Sequence, residues 1–291
     1  MDKEYRKLIE QIKIDGEKYS DEEMKIVYKG QKTELDKIHA LLGVIFIKYG
    51  IDGLLKMNVS QKADVDIKSI LKEMGNNLGN SEVLKVADIL ENVFKDTYYK
   101  NAYTMQKGMK VSLKFDMISQ KHIDAAVNAK YDTEIFSDRI WKHKADLVDK
   151  LQTSLIKTMN GETTIDKVAR DIKNTFNVTA YESKLLVGNE CARVQSQANE
   201  DIAVSTGVEQ QMYSATLDGQ TSSECAGDDG KVWDIDDPEK VIPPENHVGC
   251  RCCLINVPYS GWTPTQRRNN ETHELIPNQT YAEWSKDKGV D

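Results

Sequence analysis

Over most of the first 200 residues, apolar side chains recur every three or four positions, the spacing that lays one hydrophobic stripe along an α-helix. In ELDKIHALLGVIFIKYG the stripe is Ile38, Leu41, Leu42, Ile45, Phe46 and Tyr49, and Gly50 predicts its end. In SEVLKVADILENVFKDTYYK it is Val83, Val86, Leu90, Val93 and Phe94, with Ser81 placed to cap the helix. A third helix is expected from about Phe136 to Met159 through Ile140, Leu147, Val148, Leu151 and Leu155, stopped by Asn160-Gly161. TTIDKVARDIKNTF predicts a shorter amphipathic helix, and Thr179 with Glu182 reads as a capping box opening another that runs to about Ser205. Such stripes are core, because burying one face is what stabilises helices of this length.

Within the last helix the pattern changes. Asn189, Glu190, Arg193 and Gln197 form a polar stripe, which is either a solvated face or a pair, Glu190 and Arg193, turned into an interface with the segment that follows. Beyond Gly207 the period drops to two. Met212, Ser214 and Thr216 alternate with Tyr213, Ala215 and Leu217 as in a strand, and Asp218-Gly219 supplies a turn. DDGKVW predicts a second turn and a short strand, an acidic loop (234–242) leads to Pro243-Pro244, and CLINVP predicts a third strand. The fold class expected is mainly α. Elongated multi-helix N-terminal (1–130) and central (131–205) regions precede a small Cys/His-containing α+β module (206–258) and an extended, polar C-terminal arm (259–291).

Composition narrows the classes of function. Of 291 residues, 39% are hydrophobic and 30% charged, which suits a helix-rich protein with much surface rather than a deep-cored enzyme. The longest apolar run, ALLGVIFI (40–47), is too short to span a bilayer, so no membrane role is expected. The start, MDKEYRKLIEQ, lacks a signal-peptide core, which points to synthesis in the cytoplasm. A net charge of −8 disfavours a general nucleic-acid coat, although DRIWKHK (138–144) is locally basic. Five cysteines, an odd number in a reducing compartment, favour thiols or metal over disulfides.

Three of those cysteines and a histidine fall within PPENHVGCRCC. Cys225, His247, Cys250 and Cys252 could supply the four thiolate and imidazole ligands of a zinc site. On an extended chain Cys250 and Cys252 face one way and Cys253 the other. The alternative is a metal-free, loop-rich module in which the thiols pack as small hydrophobes. Where a paired site would have two cysteines, this chain has Ser222 and Cys225. No Asn or Asp is placed to complete a catalytic set with Cys250 and His247, and phosphate-loop, H-E-x-x-H and Ca²⁺-loop patterns are missing, so no catalytic residue is assigned and no enzyme is expected.

In order, FSDRIWKHKADLVDKLQTSLIKTMNGETT, LVGNECAR, LDGQTSSEC-AGDDGKVW, PPENHVGCRC and TYAEW resemble the phage Mu F-like head morphogenesis proteins, the minor head or minor capsid proteins of tailed phages. The resemblance runs from about residue 130 to the end and marks Glu190, Arg193, Asp218, Thr221, Asp229, Gly230 and Arg251 as structural motif residues. Gln220 stands where the family has Arg, Ser222 takes the first-cysteine slot, and one extra residue separates Pro244 from His247. The first two departures weaken an inherited metal site, and the third shifts the His247 imidazole relative to Cys250.

The resemblance implies a protein inside the capsid, bound to the portal, with scaffolding or major capsid protein as further partners. It also implies non-specific contact with packaged DNA and an influence on packaging or ejection. Two other readings are a Mu F-like module fused to an N-terminal toxin-like effector, and a zinc-stabilised DNA-binding module. Against the second, Glu224 to Glu245 holds eight acidic residues and two lysines.

Overall fold

A computed structural model describes residues 4–109 and 117–289. In chain order the elements are α1 (Tyr5–Tyr49), β1 (Gly50–Ile51), β2 (Leu54–Leu55), α2 (Val59–Ala63), α3 (Ile67–Met109), α4 (Gln120–Val127), α5 (Phe136–Met159) and α6 (Ile165–Thr206). Then follow β3 (Gln210–Ser214), α7 (Ser223–Asp228), β4 (Val232–Asp234), β5 (Cys253–Asn256), β6 (Gln266–Arg268), β7 (Leu275–Pro277) and α8 (Tyr281–Lys288). The chain is mainly α, with a small sheet module near its C-terminal end, as the periodicities predict. Two compact units emerge, neither of them consecutive in sequence. One gathers Met1–Ser20, Ile89–Ala129 and Val187–Asp291; the other gathers Asp21–Asp88 and Lys130–Leu186. α1, α3 and α6 each contribute to both.

The unit containing Asp21–Asp88 is a helical core. Ile38, Leu42 and Ile45 of α1 pack with Leu71, Met74 and Leu78 of α3, Leu147, Leu151 and Leu155 of α5, and Val168, Ile172 and Phe176 of α6. α5 begins and ends where its sequence predicts, with Asn160 as its C-cap and Gly161 at φ +79°. Two expected helix starts are overturned. Ser81 does not cap a helix but lies inside α3, because Gly75 and Gly79 serve close packing there rather than a break. A Cβ on Gly75 would sit 2.6 Å from Val148, and one on Gly79 would sit 2.3 Å from the Trp141 ring. Thr179 likewise lies inside α6. Its hydroxyl donates to Thr175 O at 3.1 Å, back along the same helix, so the Thr179–Glu182 pair is no capping box and one helix of 42 residues replaces two.

The other unit carries the module. β3 is the centre of a three-stranded antiparallel sheet, order β4-β3-β5, with Gln211 opposite Trp233, Tyr213 opposite Leu254, and Ser214 opposite Cys253. The polar C-terminal segment is tied to the module by charge. It forms the β6–β7 hairpin and α8, and α8 is opened by a true capping box between Thr280 and Glu283. Trp262, Arg267, Asn269 and Trp284 are buried within it.

Candidate metal centre

Alternation along β3 turns Tyr213 toward the same side as Leu254 and Cys252, and there a buried cluster of Tyr213, Ala215, Cys225, Cys250, Cys252 and Leu254 forms. Cys225 comes from α7, whose N-cap Ser222 accepts the Cys225 N–H at 3.2 Å. His247 and Cys250 come from the loop after Pro244. That loop is fastened to α6, since Asn189 Oδ1 accepts from Gly249 N at 2.7 Å, and Gly249 takes φ +80°, a conformation that disfavours a side chain.

Ligand atoms of Cys225, His247 and Cys250 all lie within 4.8 Å of one another. Cys225 Sγ is 3.1 Å from His247 Nε2 and 3.7 Å from Cys250 Sγ. Two thiolates held at about 2.3 Å by one tetrahedral zinc would be about 3.8 Å apart, so the sulfur spacing fits. His247 Nδ1 lies 3.1 Å from the carbonyl of Val248, to which it can only donate. In the neutral ring this leaves Nε2 with its lone pair facing Cys225, the arrangement a metal-binding imidazole needs. The Cys252 thiol, the fourth candidate named from sequence, is buried in the same cluster but lies outside the group whose ligand atoms are all within 4.8 Å of one another. Cys253, facing the other way, takes no part.

Hydrogen bonds from the Cys250 and Cys252 thiols, with Ser222 and Tyr213 adding theirs, pull the Cys225 thiol down and make it the first to ionise, while burial and its sulfur neighbours push Tyr213 up. Tyr213 OH and Asn246 Nδ2 each lie 3.1 Å from Cys225 Sγ, so both can donate to a thiolate there. A Cys–His contact of this length also suits a catalytic thiol. Yet Cys225 is only 1% exposed, which leaves a substrate no approach, and the geometry favours a structural or metal-holding role.

The motif residues support this cluster from outside. Asp218 and Arg251 form a two-point ion pair, Thr216 donates to Arg251 O at 2.9 Å, and the Thr221 hydroxyl donates to Thr216 O. Burial pushes the Asp218 carboxyl up, but the hydrogen bonds and charge of Arg251, the Gln220 N–H and the Thr221 hydroxyl together outweigh it and hold it below the usual carboxylate range. Gly230, at φ +82°, makes the turn that lets its N–H reach Tyr213 O at 3.0 Å. Asp229 is the hub: it accepts from Ala215 N at 2.8 Å, Tyr281 N at 2.7 Å and Arg267 at 2.6 Å.

Glu190 and Arg193 are buried and paired at 2.8 Å. Arg193 donates to Ala126 O and Val127 O at 2.8 and 3.0 Å, at the C-terminal end of α4, whose partial negative charge attracts a cation. Gln197 is exposed and pairs with Asp201. The sequence does not mark Arg6, Glu10 and Arg267 as site residues. Arg6 bonds Glu10 at 2.8 Å, Ser214 at 2.9 Å and Asn278 at 2.6 Å, which ties the start of α1 to β3 and the tail. Their only sequence signal is charge within segments of low apolar content.

A helical scaffold and a small α+β module with a Cys/His cluster, joined by buried ion pairs, define the class. Residues 149–255 match the family described as Phage Mu protein F like protein. Among individual relatives, Minor head protein GP7 of Bacillus phage SPP1 is 23% identical over 288 residues, covering 88% of this chain and 89% of that protein. NAD(+)--arginine ADP-ribosyltransferase EFV of Enterococcus faecalis is 25% identical over 206 residues, covering 66% of this chain and 42% of that protein. The chain therefore spans less than half the length of the Enterococcus relative. No solved structure matches.

Proposed function

We propose that this chain is a minor head protein that joins the virion by binding the portal, with the Mu F-like module as a structural unit rather than a catalytic one. The observation that carries this reading is the match to a minor head protein along nearly the full length of both chains. Burial of the cysteine cluster supports the structural role. The activity in the Enterococcus relative's name belongs to that protein, of which more than half lies outside the match. No helix is long and apolar enough to cross a membrane among the described residues.

Helix faces left apolar at the surface suit helix-to-helix docking. Ala40, Val44 and Ile47 are exposed at helical spacing on α1, as are Val178, Tyr181 and Leu185 on α6. Co-expression with the portal, followed by size exclusion at about 0.15 and 0.5 M salt, tests the reading. Contacts made by surface charge weaken as the Debye length shrinks, whereas apolar packing persists, so co-migration at both salts is expected. A folded protein that migrates alone at both would overturn it.

The same module is proposed to hold one zinc through Cys225, His247, Cys250 and Cys252. Bound there, the ion would staple α7 to the 247–252 loop. Protein purified without chelator is expected to carry about one zinc per chain, lost with much of the module's thermal stability in Cys225→Ser. Less than about a tenth of an equivalent in well-folded protein would sink the metal, because closed sites retain it at neutral pH.

A further inference from the structure

Beside β5, the sheet meets α3 and α6 through a row of buried amides. Lys240 Nζ donates to Gln211 Oε1 at 3.0 Å, and an ammonium can only donate. Gln211 therefore presents its NH₂ to Asn256 Oδ1, at 2.8 Å. Asn256 Nδ2 then donates to Asn199 Oδ1 at 3.1 Å, and Asn199 Nδ2 donates to Leu254 O at 3.2 Å. Asn101 Nδ2 donates to the same Asn199 Oδ1 at 3.1 Å. One lysine thus fixes the orientation of every amide in the row, and none can be turned over without setting like against like.

The row ends on an unanswered acceptor. Asn101 Oδ1 is buried and has no hydrogen-bond partner. Asn101 also lines a cavity of about 20 Å³, counted as space open to the centre of a water-sized sphere, together with Lys13, Gln195, Asn199 and Cys253. Lys13 is buried too. Its ammonium reaches Gln195 Oε1 at 3.0 Å and Glu17 at 3.5 Å, which leaves a third N–H to place.

We propose that this cavity is a binding site for one structural water, which donates to Asn101 Oδ1 and accepts from Lys13 Nζ. The volume is enough for one water and too small for more than about that. The chemistry selects among small occupants. An anion would suit Lys13 but face the Asn101 oxygen, and a cation would suit that oxygen but face the ammonium. Water alone both donates and accepts. A buried acceptor left unpaired is destabilising, and the water removes that penalty at the point where three helices meet the module's sheet.

Two measurements on the full chain decide the matter. A high-resolution crystal structure is expected to show one density peak within hydrogen-bond distance of both Asn101 Oδ1 and Lys13 Nζ, without anomalous signal. Oxygen-17 relaxation dispersion of the solvent is expected to count one fewer long-lived water in Asn101→Leu than in the parent. If that variant fails to fold, the crystal structure of the parent protein decides alone. A well-ordered cavity with no peak, a chloride in it, or a protein group on Asn101 Oδ1 overturns the proposal.

Discussion

Asp229→Ala is expected to cost about 3–5 kcal/mol, the range for breaking one partner out of a buried charge pair, and to lower the melting temperature by roughly 10 °C. Both side chains of the Asp229–Arg267 pair are 1% exposed, so water cannot replace what is removed. The carboxylate also holds two backbone N–H groups, of Ala215 and Tyr281, and the alanine variant leaves both without their acceptor. Arg267→Ala is expected to cost less. It strands a carboxylate that keeps those two donors, with Arg6 at 3.9 Å, whereas the first variant strands a guanidinium. Because both remove one interaction, the double variant should fall well short of the sum. Urea denaturation of the three proteins is the measurement. A loss under about 1 kcal/mol for Asp229→Ala would mean that the tail is not anchored by this residue.

That anchor marks the limit of what the chain discloses. α5, both ends included, was legible because its apolar period is unbroken and Asn-Gly follows it. The three strands of the module were legible because alternation and turn residues agree. Cys225, His247 and Cys250 were legible as a set because their chemistry is unusual, and alternation correctly sent Cys253 to the other face. The misread starts at Ser81 and Thr179 share one cause. Small and hydroxyl residues look like punctuation locally, but here Gly75 and Gly79 admit Val148 and Trp141, and the Thr179 oxygen back-bonds within its helix. Packing partners far away in sequence decide such cases. The same holds for Arg6, Glu10 and Arg267, whose charges look solvated until the fold brings residues 6 and 278 within 2.6 Å. For Arg193 the sequence indicated an interface, but helix period alone cannot name the neighbour, which proved to be the end of α4.

Lys144→Ala is expected to destabilise the helical unit by about 3–5 kcal/mol, although a lysine in DRIWKHK reads as surface charge. Lys144 is 1% exposed, and its ammonium lies 2.7 Å from Glu82, which is 0% exposed. Around them, Gln31 of α1 donates to Glu82 at 3.3 Å and to Ser183 of α6 at 3.1 Å, so four helices meet at one polar point in an apolar core. Compare Lys25 with Glu22, at 2.5 Å but about two-thirds exposed on both sides, where removal should change stability by no more than about 1 kcal/mol. The difference is burial, not distance. Removing Lys144 alone leaves the Glu82 carboxylate in the core with only an amide donor. Replacing both, Lys144→Met with Glu82→Leu, removes charge and desolvation penalty together and should be near neutral, or stabilising by about 1–4 kcal/mol. A double-mutant cycle by urea denaturation therefore has a required shape: large losses for each single change and little or none for the pair. Singles within about 1 kcal/mol of the parent would show that water reaches this pair. A double variant as unstable as the singles would mean instead that the polar contacts to Gln31 and Ser183, rather than the charges, hold the four helices in register.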